Sequence, residues 1–278
     1  KYEFWLNYLN QLKKRGVKSY LVSAIFRSDS VFFRNYGAMW REALDAFNQM
    51  FVQNEESKEL LHEIGFDNVV VAGDTRFDRV LAIAEKGERV DVVEQFKGGK
   101  RLFVAGSTWG GDEDILLPLI NANPAVRFVI APHEMEESRI NKILQSAHGG
   151  AKRYTQCDAQ TDFSATQVLV LDTIGILSSV YGYASWSYIG GGFGVGIHNT
   201  LEAAVYGMPV VFGPNWKKFR EAHGLLKAGA AITAKNYHEF AAALDTAFAT
   251  QQQMGQAAID YVNSEIGATE KILKHLNL

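Results

Sequence analysis

Apolar and polar positions alternate along the chain as short strands and amphipathic helices. The chain opens with a helix, because apolar residues recur at helical spacing from Phe4 to Leu12 and are followed by cations and Gly16. Strands and helices then alternate through "KSYLVSAIF", "MWREALDAFN", "MFVQN", "EESKELLHEIG" and "NVVVAG". Short apolar strands joined by helices predict a parallel sheet covered on both faces.

A charged, glycine-punctuated helical stretch near residue 77 interrupts this alternation, and a second series of strands follows it. Its strands are "RLFVAGS", "VRFVIAP", "TQVLVLD", "SWSYIGG", "PVVFG" and "AAIT", each followed by a helical or mixed segment. The pattern predicts an α/β chain with two domains, residues 1–76 and residues 77–278 with the terminal helices. The first is the later half of a doubly wound domain, and the second is a complete doubly wound parallel sheet.

Composition and net charge exclude some classes of function and leave the predicted fold class unchanged. A net charge of −3 over 278 residues, with no arginine-rich motif, indicates no nucleic-acid partner. The only cysteine, Cys157, cannot form an internal disulfide, which favours a reducing compartment. No apolar run reaches the roughly 20 residues of a membrane helix. The chain starts at Lys1 rather than Met, so we expect the natural protein to have a preceding part.

Four of the predicted strands end in polar or glycine-rich loops. These loops are "AGSTWGGDED", "APHEMEES", "LDTIGIL" and "GGGFGVGIHNT". In doubly wound sheets, ligands bind outside the carboxyl ends of the strands. We therefore expect the chemistry of the protein to lie in these loops.

The last of these loops has five glycines in seven positions, which are Gly190, Gly191, Gly192, Gly194 and Gly196. Without side chains, this main chain can approach a ligand closely. The helix that follows has unpaired amides at its N-terminus, so the loop and helix together predict an anion-binding site. The spacing matches neither the G-x-G-x-x-G dinucleotide fingerprint nor a P-loop.

The polar residues behind the glycines have both a structural and a functional interpretation. Asn199 and Glu202 fit an ordinary N-cap with its capping partner. If a nucleotide binds here instead, Glu202 accepts hydrogen bonds from a ribose diol, while Asn199 and Thr200 serve the phosphate. His198 is either a phosphate ligand or a hydrogen-bonded structural residue.

Other segments lack the residues that zinc proteases and serine hydrolases require. "PHEME" lacks the second histidine of a zinc-protease helix, and Ser107 is not in a G-x-S-x-G elbow. The acids from Asp112 to Asp114 are typical of a first helical turn, so we expect no metal site there. In "LDTIGIL", Gly175 and Ile176 either begin a helix or contact a flat base through their main chain.

Together the loops resemble the 3-deoxy-D-manno-octulosonic acid (Kdo) transferases of lipopolysaccharide synthesis, which are glycosyltransferases of GT-B architecture. The matching segments, in chain order, are "KYEFWLNYL", "SAIFRSDS", "FFRNYG", "VVAGDTRFD", "AGST", "APHEME", "LDTIGIL", "YIGGGFGVGIHNTLEAAVYGMPVVFGP" and "KKFREA".

The resemblance implies a site for the donor, CMP-Kdo, in the C-terminal domain. Carried over residue by residue, it places Pro132 and His133 beside the cytosine, together with the main chain of Gly175 and Ile176. Asn199 and Glu202 hold phosphate and ribose. Ser107 and Thr108 lie near the transferred sugar. The remaining implied ligand contacts are Gly194, Gly196, His198 and Thr200.

The sequence matches the family less completely at the positions that would contact the acceptor. The resemblance implies that a lipid A precursor binds to the N-terminal domain, where Arg27, directly after a strand, is the best-placed cation. Leu6 replaces the usual proline of the tryptophan segment, so Glu3 is only a candidate acceptor residue. The residue that acts as general base in the family has no counterpart in this sequence. The resemblance therefore implies that this chain binds the donor but transfers the sugar poorly. His133 stands where the family often has arginine.

The resemblance further implies inverting transfer without a metal ion or other cofactor. It implies a peripheral position on the cytoplasmic face of the bacterial inner membrane, with membrane contact through the preceding part of the protein. Two alternatives remain open on the sequence alone. One is another GT-B enzyme that uses a UDP-sugar, such as an epimerase or N-acetylglucosaminyl transferase, and the other is a non-catalytic nucleotide-sugar-binding module.

Overall fold

The computed structural model describes residues 4–278, and the chain divides into two compact units. The first unit comprises Lys1–Arg79 together with Glu265–Leu278, and the second comprises Val80–Ser264. Within the described range, no helix combines the length and the apolar character that crossing a bilayer requires.

The first unit is built on a three-stranded parallel sheet. Its strands, in spatial order, are β1 (Tyr20–Ala24), β2 (Gln49–Val52) and β3 (Val69–Val71). The helices that begin in the first 79 residues of this unit are α1 (Leu6–Lys14), α2 (Ala38–Leu44), α3 (Glu55–Glu63) and α4 (Thr75–Lys86). Each predicted strand of the first series is present. Its core is aromatic and aliphatic, with Phe26, Leu44 and Met50 almost completely buried.

The second unit contains a seven-stranded parallel sheet. Its strands are β4 (Leu102–Thr108), β5 (Arg127–Pro132), β6 (Ala151–Arg153), β7 (Val168–Val170), β8 (Trp186–Ile189), β9 (Val210–Phe212) and β10 (Ala231–Thr233). Their spatial order is β10-β9-β8-β4-β5-β7-β6. The sequence pattern did not predict β6, a short edge strand without an apolar run.

The helices connect these strands in the doubly wound manner. They are α5 (Asp91–Lys97), α6 (Gly110–Ala122), α7 (Glu137–Ser146), α8 (Leu177–Tyr181), α9 (Leu201–Ala204), α10 (Arg220–Ala228), α11 (Tyr237–Ala249) and α12 (Gln251–Glu265). The chain lays down β5, β6 and β7 on one side of β4, and then β8, β9 and β10 on the other. The direction of winding therefore reverses at β4, which is where doubly wound sheets bind their ligands.

The last helix, α13 (Ala268–Leu276), belongs to the first unit rather than to the second. The Asp78 carboxylate accepts hydrogen bonds from the amides of Gly267 at 2.6 Å and Thr269 at 2.7 Å. Burial alone raises the pKa of Asp78, but these hydrogen bonds outweigh it and lower the pKa. The sequence pattern predicted residues 77–278 as one domain, whereas the compact units group residues 77–79 and α13 with the first unit.

Candidate functional site

The four loops singled out in the sequence meet at one edge of the seven-stranded sheet. They follow β4, β5, β7 and β8, and these four strands are neighbours in the order β8-β4-β5-β7. Since all strands are parallel, their carboxyl ends point the same way. This edge, at the reversal point of the winding, is the candidate functional site.

The glycines after β8 allow main chain to pack on main chain. A Cβ on Gly190 would lie 2.2 Å from the carbonyl oxygen of Ser107, and one on Gly192 would lie 2.5 Å from the amide nitrogen of Gly213. Gly191 and Gly196 have φ angles of +88° and +119°, which side chains disfavour. Packing and backbone conformation thus account for four of the five glycines. The exception is Gly194, where a Cβ would meet nothing closer than 3.9 Å.

Main-chain amides of this loop already donate hydrogen bonds inside the protein. The donors are the amides of Gly190, Gly191, Gly194, Gly196, Ile197 and His198. In addition, α9 has only four residues, so it offers a much weaker dipole than the longer helix expected from "TLEAAVYG". The anion site expected from loop and helix amides therefore stays a prediction, and these six amides are already engaged within the protein.

Asp112, at the start of α6, holds the glycine loop in place. One carboxylate oxygen accepts hydrogen bonds from the amides of Trp109 and Gly191, each at 2.8 Å, and the other accepts one from the Tyr188 hydroxyl at 2.5 Å. Asp112 is 1% exposed, and burial together with its charge raises the pKa of Tyr188. The sequence placed Asp112 in a first helical turn but did not reveal these partners.

The next two acids are also paired. Glu113 accepts hydrogen bonds from the Thr108 hydroxyl at 2.9 Å and from the Arg139 guanidinium at 2.6 Å, and Asp114 pairs with Lys142. Thr108 is completely buried and its hydroxyl donates to Glu113, so the position of Thr108 near the transferred sugar stays a prediction. Among residues 4–278 no cluster of His, Cys, Asp and Glu is suited to a metal ion.

Ser107, directly before Thr108, remains half-buried and has a φ of +53°. The register between β4 and β5 shifts at this position, between Gly106 and Thr108. A serine in the left-handed region is unusual, and such strained residues cluster at functional sites. The structure therefore keeps Ser107 as a candidate ligand contact.

Three rings from three loops of this edge contact one another. The Trp109 indole donates a hydrogen bond to Nε2 of His198 at 2.9 Å, with only 9° between the two ring planes. His133 stacks on both rings, with centroid distances of 4.2 Å to His198 and 4.9 Å to Trp109. The structure thus brings together the two histidines predicted from separate loops. It adds Trp109, which no local sequence signal identified.

The carboxylate of Glu202 is oriented by two side chains. One oxygen accepts a hydrogen bond from the Asn199 amide and the other from the Ser178 hydroxyl, each at 3.0 Å. Asn199 in turn accepts a hydrogen bond from the Leu201 amide at 3.2 Å, although Thr200 rather than Asn199 is the N-cap of α9. Glu202 is half-buried, so its carboxylate is neither sealed in the core nor freely mobile. Ser178, in α8, was missed in the sequence.

Other predicted site residues differ in accessibility. Thr200 is completely buried, and its hydroxyl has no hydrogen-bond partner in the described part of the chain, so its role in binding phosphate stays a prediction. Pro132 is also buried. Gly175 is exposed, with a φ of +99°, and Ile176 is half-buried, so their main chain remains a candidate for base contact. 

Two predicted acceptor-side residues are not part of this edge as described. Arg27 lies in the first unit, after β1, and is half-buried. Glu3 lies outside the described residues. Their proposed contacts with an acceptor therefore stay predictions.

The fold defines an α/β protein of the GT-B type, with polar and glycine-rich loops at the reversal point of a parallel sheet. Known proteins bear this out. A family model described as 3-deoxy-D-manno-octulosonic-acid transferase (kdotransferase) matches residues 1–79. The resemblance to this family is thereby confirmed over the first unit, independently of the loops of the second.

Relatives of the same description extend the match. A 3-deoxy-D-manno-octulosonic acid transferase of Bordetella pertussis is 29% identical over 99% of this chain and 67% of its own length. The one from Rickettsia bellii is 30% identical over 69% of this chain and 47% of its own length. The chain therefore spans between about half and two thirds of these relatives.

Solved structures confirm the fold. The C-terminal CMP-Kdo binding domain of WaaA from Acinetobacter baumannii superimposes with a TM-score of 0.53 and 18% identity, over 67% of this chain and 97% of that domain. A UDP-GlcNAc 2-epimerase from Neisseria meningitidis gives a TM-score of 0.60 and 16% identity, over 96% of this chain and 71% of its own.

Proposed function

We propose that this chain is the donor-binding part of an inverting glycosyltransferase that moves Kdo from CMP-Kdo to a lipid A precursor. Support comes from the Kdo transferase relatives and from the fold shared with a CMP-Kdo binding domain. The observation that carries the proposal is the Glu202 carboxylate, which Asn199 and Ser178 hold at the edge where doubly wound sheets bind ligands.

Glu202 is suited to a ribose. A carboxylate accepts hydrogen bonds from two neighbouring hydroxyls, and its orientation by Asn199 and Ser178 lowers the entropy lost on binding. The phosphate then lies near the polar side chains of Ser107, His198 and Asn199. These side chains take the place of the loop amides, which are engaged within the protein.

In the proposed reaction, a hydroxyl of the acceptor attacks the anomeric carbon of Kdo as CMP departs, and the configuration inverts. Polar groups fixed at this edge stabilise the negative charge that develops on the leaving phosphate. We propose that no metal is needed, because Asp112, Glu113 and Asp114 already pair with groups of the protein. The proton of the acceptor requires a base that we assign to no residue here, so transfer by this chain alone is expected to be slow.

We propose that the acceptor, a lipid A precursor, binds beside the first unit, where Arg27 contacts its anionic groups. We also propose that the protein lies on the cytoplasmic face of the bacterial inner membrane.

A second candidate function, a UDP-sugar enzyme, is favoured by the fold similarity to a UDP-GlcNAc 2-epimerase over nearly the whole chain. A non-catalytic nucleotide-sugar module is the third.

Calorimetric titration with nucleoside phosphates separates these functions. We expect CMP to bind about tenfold or more tightly than UDP, because a site built for one base leaves its polar groups unpaired against another. Tighter binding of UDP would end the Kdo transferase proposal in favour of the UDP-sugar enzyme. Equal, weak binding of both nucleotides would also count against it.

A further inference from the structure

One ion pair holds Thr108, the residue between Ser107 and Trp109, at two of its atoms. The Thr108 carbonyl oxygen accepts a hydrogen bond from the Arg139 guanidinium at 3.0 Å, and the Thr108 hydroxyl donates to Glu113 at 2.9 Å. The same guanidinium nitrogen donates to the same carboxylate oxygen of Glu113 at 2.6 Å. The three residues therefore form a closed ring of hydrogen bonds.

This ring is largely shielded from water. Thr108 and Glu113 are 0% and 1% exposed, and the side chain of Arg139 is 15% exposed. Hydrogen bonds between charged groups are stronger than neutral ones, and removal of one partner of a buried pair leaves the other charge uncompensated. The ring is therefore suited to fix the backbone of Thr108 in one position.

The Thr108 carbonyl also joins the loop after β4 to the loop after β5. Besides Arg139, it accepts a hydrogen bond from the backbone amide of His133 at 2.9 Å. Ser107, with its φ of +53°, directly precedes Thr108, so a fixed Thr108 limits the conformations open to Ser107. One carbonyl thus sets the positions of two candidate ligand contacts that belong to different loops.

We propose that Arg139 is a positioning residue of the nucleotide site. It holds the Thr108 carbonyl so that Ser107 and His133 keep the relative position in which a nucleotide binds. This inference rests on the proposed function, because it takes the ligand to be a nucleotide. It assigns Arg139 no contact with the ligand or with the reacting atoms.

A second ion pair between the same two helices supplies a matched control. Lys142, in α7 like Arg139, pairs at 2.6 Å with Asp114 of α6, which directly follows Glu113. Its two side chains are 52% and 64% exposed, and exposed pairs contribute little to stability. Lys142→Met therefore removes a cation from α7 and leaves the buried ring in place.

Hydrogen exchange measured by NMR tests the positioning without any ligand. The amide of His133 reports on the junction of the two loops, and the amide of Phe128, which donates to a carbonyl at the other end of β5, reports on the strand itself. In Arg139→Met, the ratio of the His133 to the Phe128 exchange rate should rise about tenfold, because local opening of the junction becomes easier. Lys142→Met should leave the ratio unchanged. An unchanged ratio in Arg139→Met would show that Arg139 affects only overall stability, which overturns the proposal.

If Arg139→Met does not fold, the double variant Glu113→Gln with Arg139→Met takes its place, since it leaves no buried charge unpaired. The same rise in the exchange ratio is then expected, and an unchanged ratio again overturns the proposal.

Calorimetry with CMP tests the consequence for binding. We expect folded Arg139→Met to bind CMP about tenfold more weakly than the wild type, and Lys142→Met to bind it within about twofold. An unchanged CMP affinity in Arg139→Met would contradict a role in the nucleotide site. If the wild type binds no CMP, the proposed function fails, whereas the exchange ratio by itself decides whether Arg139 fixes the two loops.

Discussion

Replacing Asp112 by alanine is expected to lower the free energy of unfolding by about 4 kcal/mol, because it leaves several buried donors unpaired. The carboxylate accepts hydrogen bonds from the amides of Trp109 and Gly191 and from the hydroxyl of Tyr188. These three partners lie at the N-cap of α6, in the glycine loop and in β8. Urea denaturation followed by circular dichroism measures the loss.

Tyr188→Phe provides the control for this prediction. It removes only one of the three hydrogen bonds to Asp112 and keeps the ring in the core, so a loss of about 1.5 kcal/mol is expected. If Asp112→Ala is no more destabilising than Tyr188→Phe, the carboxylate does not organise the loop. In that case the structural role given to Asp112 is wrong.

Replacing Gly192 by alanine is expected to destabilise the second unit by about 3 kcal/mol or prevent its folding. The added Cβ would lie 2.5 Å from the nitrogen and 2.6 Å from the Cα of Gly213. Since these are backbone atoms, no side-chain rotation relieves the overlap. Thermal unfolding of the purified variant, or its yield as folded protein, measures the effect.

Gly194→Ala is the matched substitution in the same loop. A Cβ there would meet no atom closer than 3.9 Å, and the position is exposed, so the stability should change by less than about 0.5 kcal/mol. If both variants are equally unstable, the loop does not pack as described. If Gly194→Ala folds normally yet weakens CMP binding, the proposed ligand contact at Gly194 gains support.

The sheet was predictable because its strands are short, apolar runs separated by helices. Val168–Val170 and Val210–Phe212 are completely buried, as strands covered on both faces should be. The edge strand Ala151–Arg153 has no such signal, since two of its three residues are cations. The strand order that brings four loops together agrees with the general behaviour of doubly wound folds.

The candidate site was predictable in location and only partly in detail. The sequence singled out His198, Asn199 and Glu202 because they follow a glycine-rich strand end, and it singled out His133 through the family resemblance. It could not show that the loop amides and Thr108 are engaged internally, since their partners are set by tertiary packing. The contacts of Trp109 with His198 and of Asp112 with Gly191 join positions far apart in the chain, so no local pattern reveals them.

The central claim is that Glu202 binds the ribose of a cytidine nucleotide, and it is tested by comparing CMP with 2′-deoxy-CMP. In the wild type we expect CMP to bind about tenfold more tightly, since the deoxy compound loses a hydrogen bond to a charged acceptor. In Glu202→Gln the two should bind almost equally, whereas Glu137→Gln, which changes an exposed carboxylate paired with Arg153, should retain the preference. A preference for CMP that survives in Glu202→Gln would contradict the account.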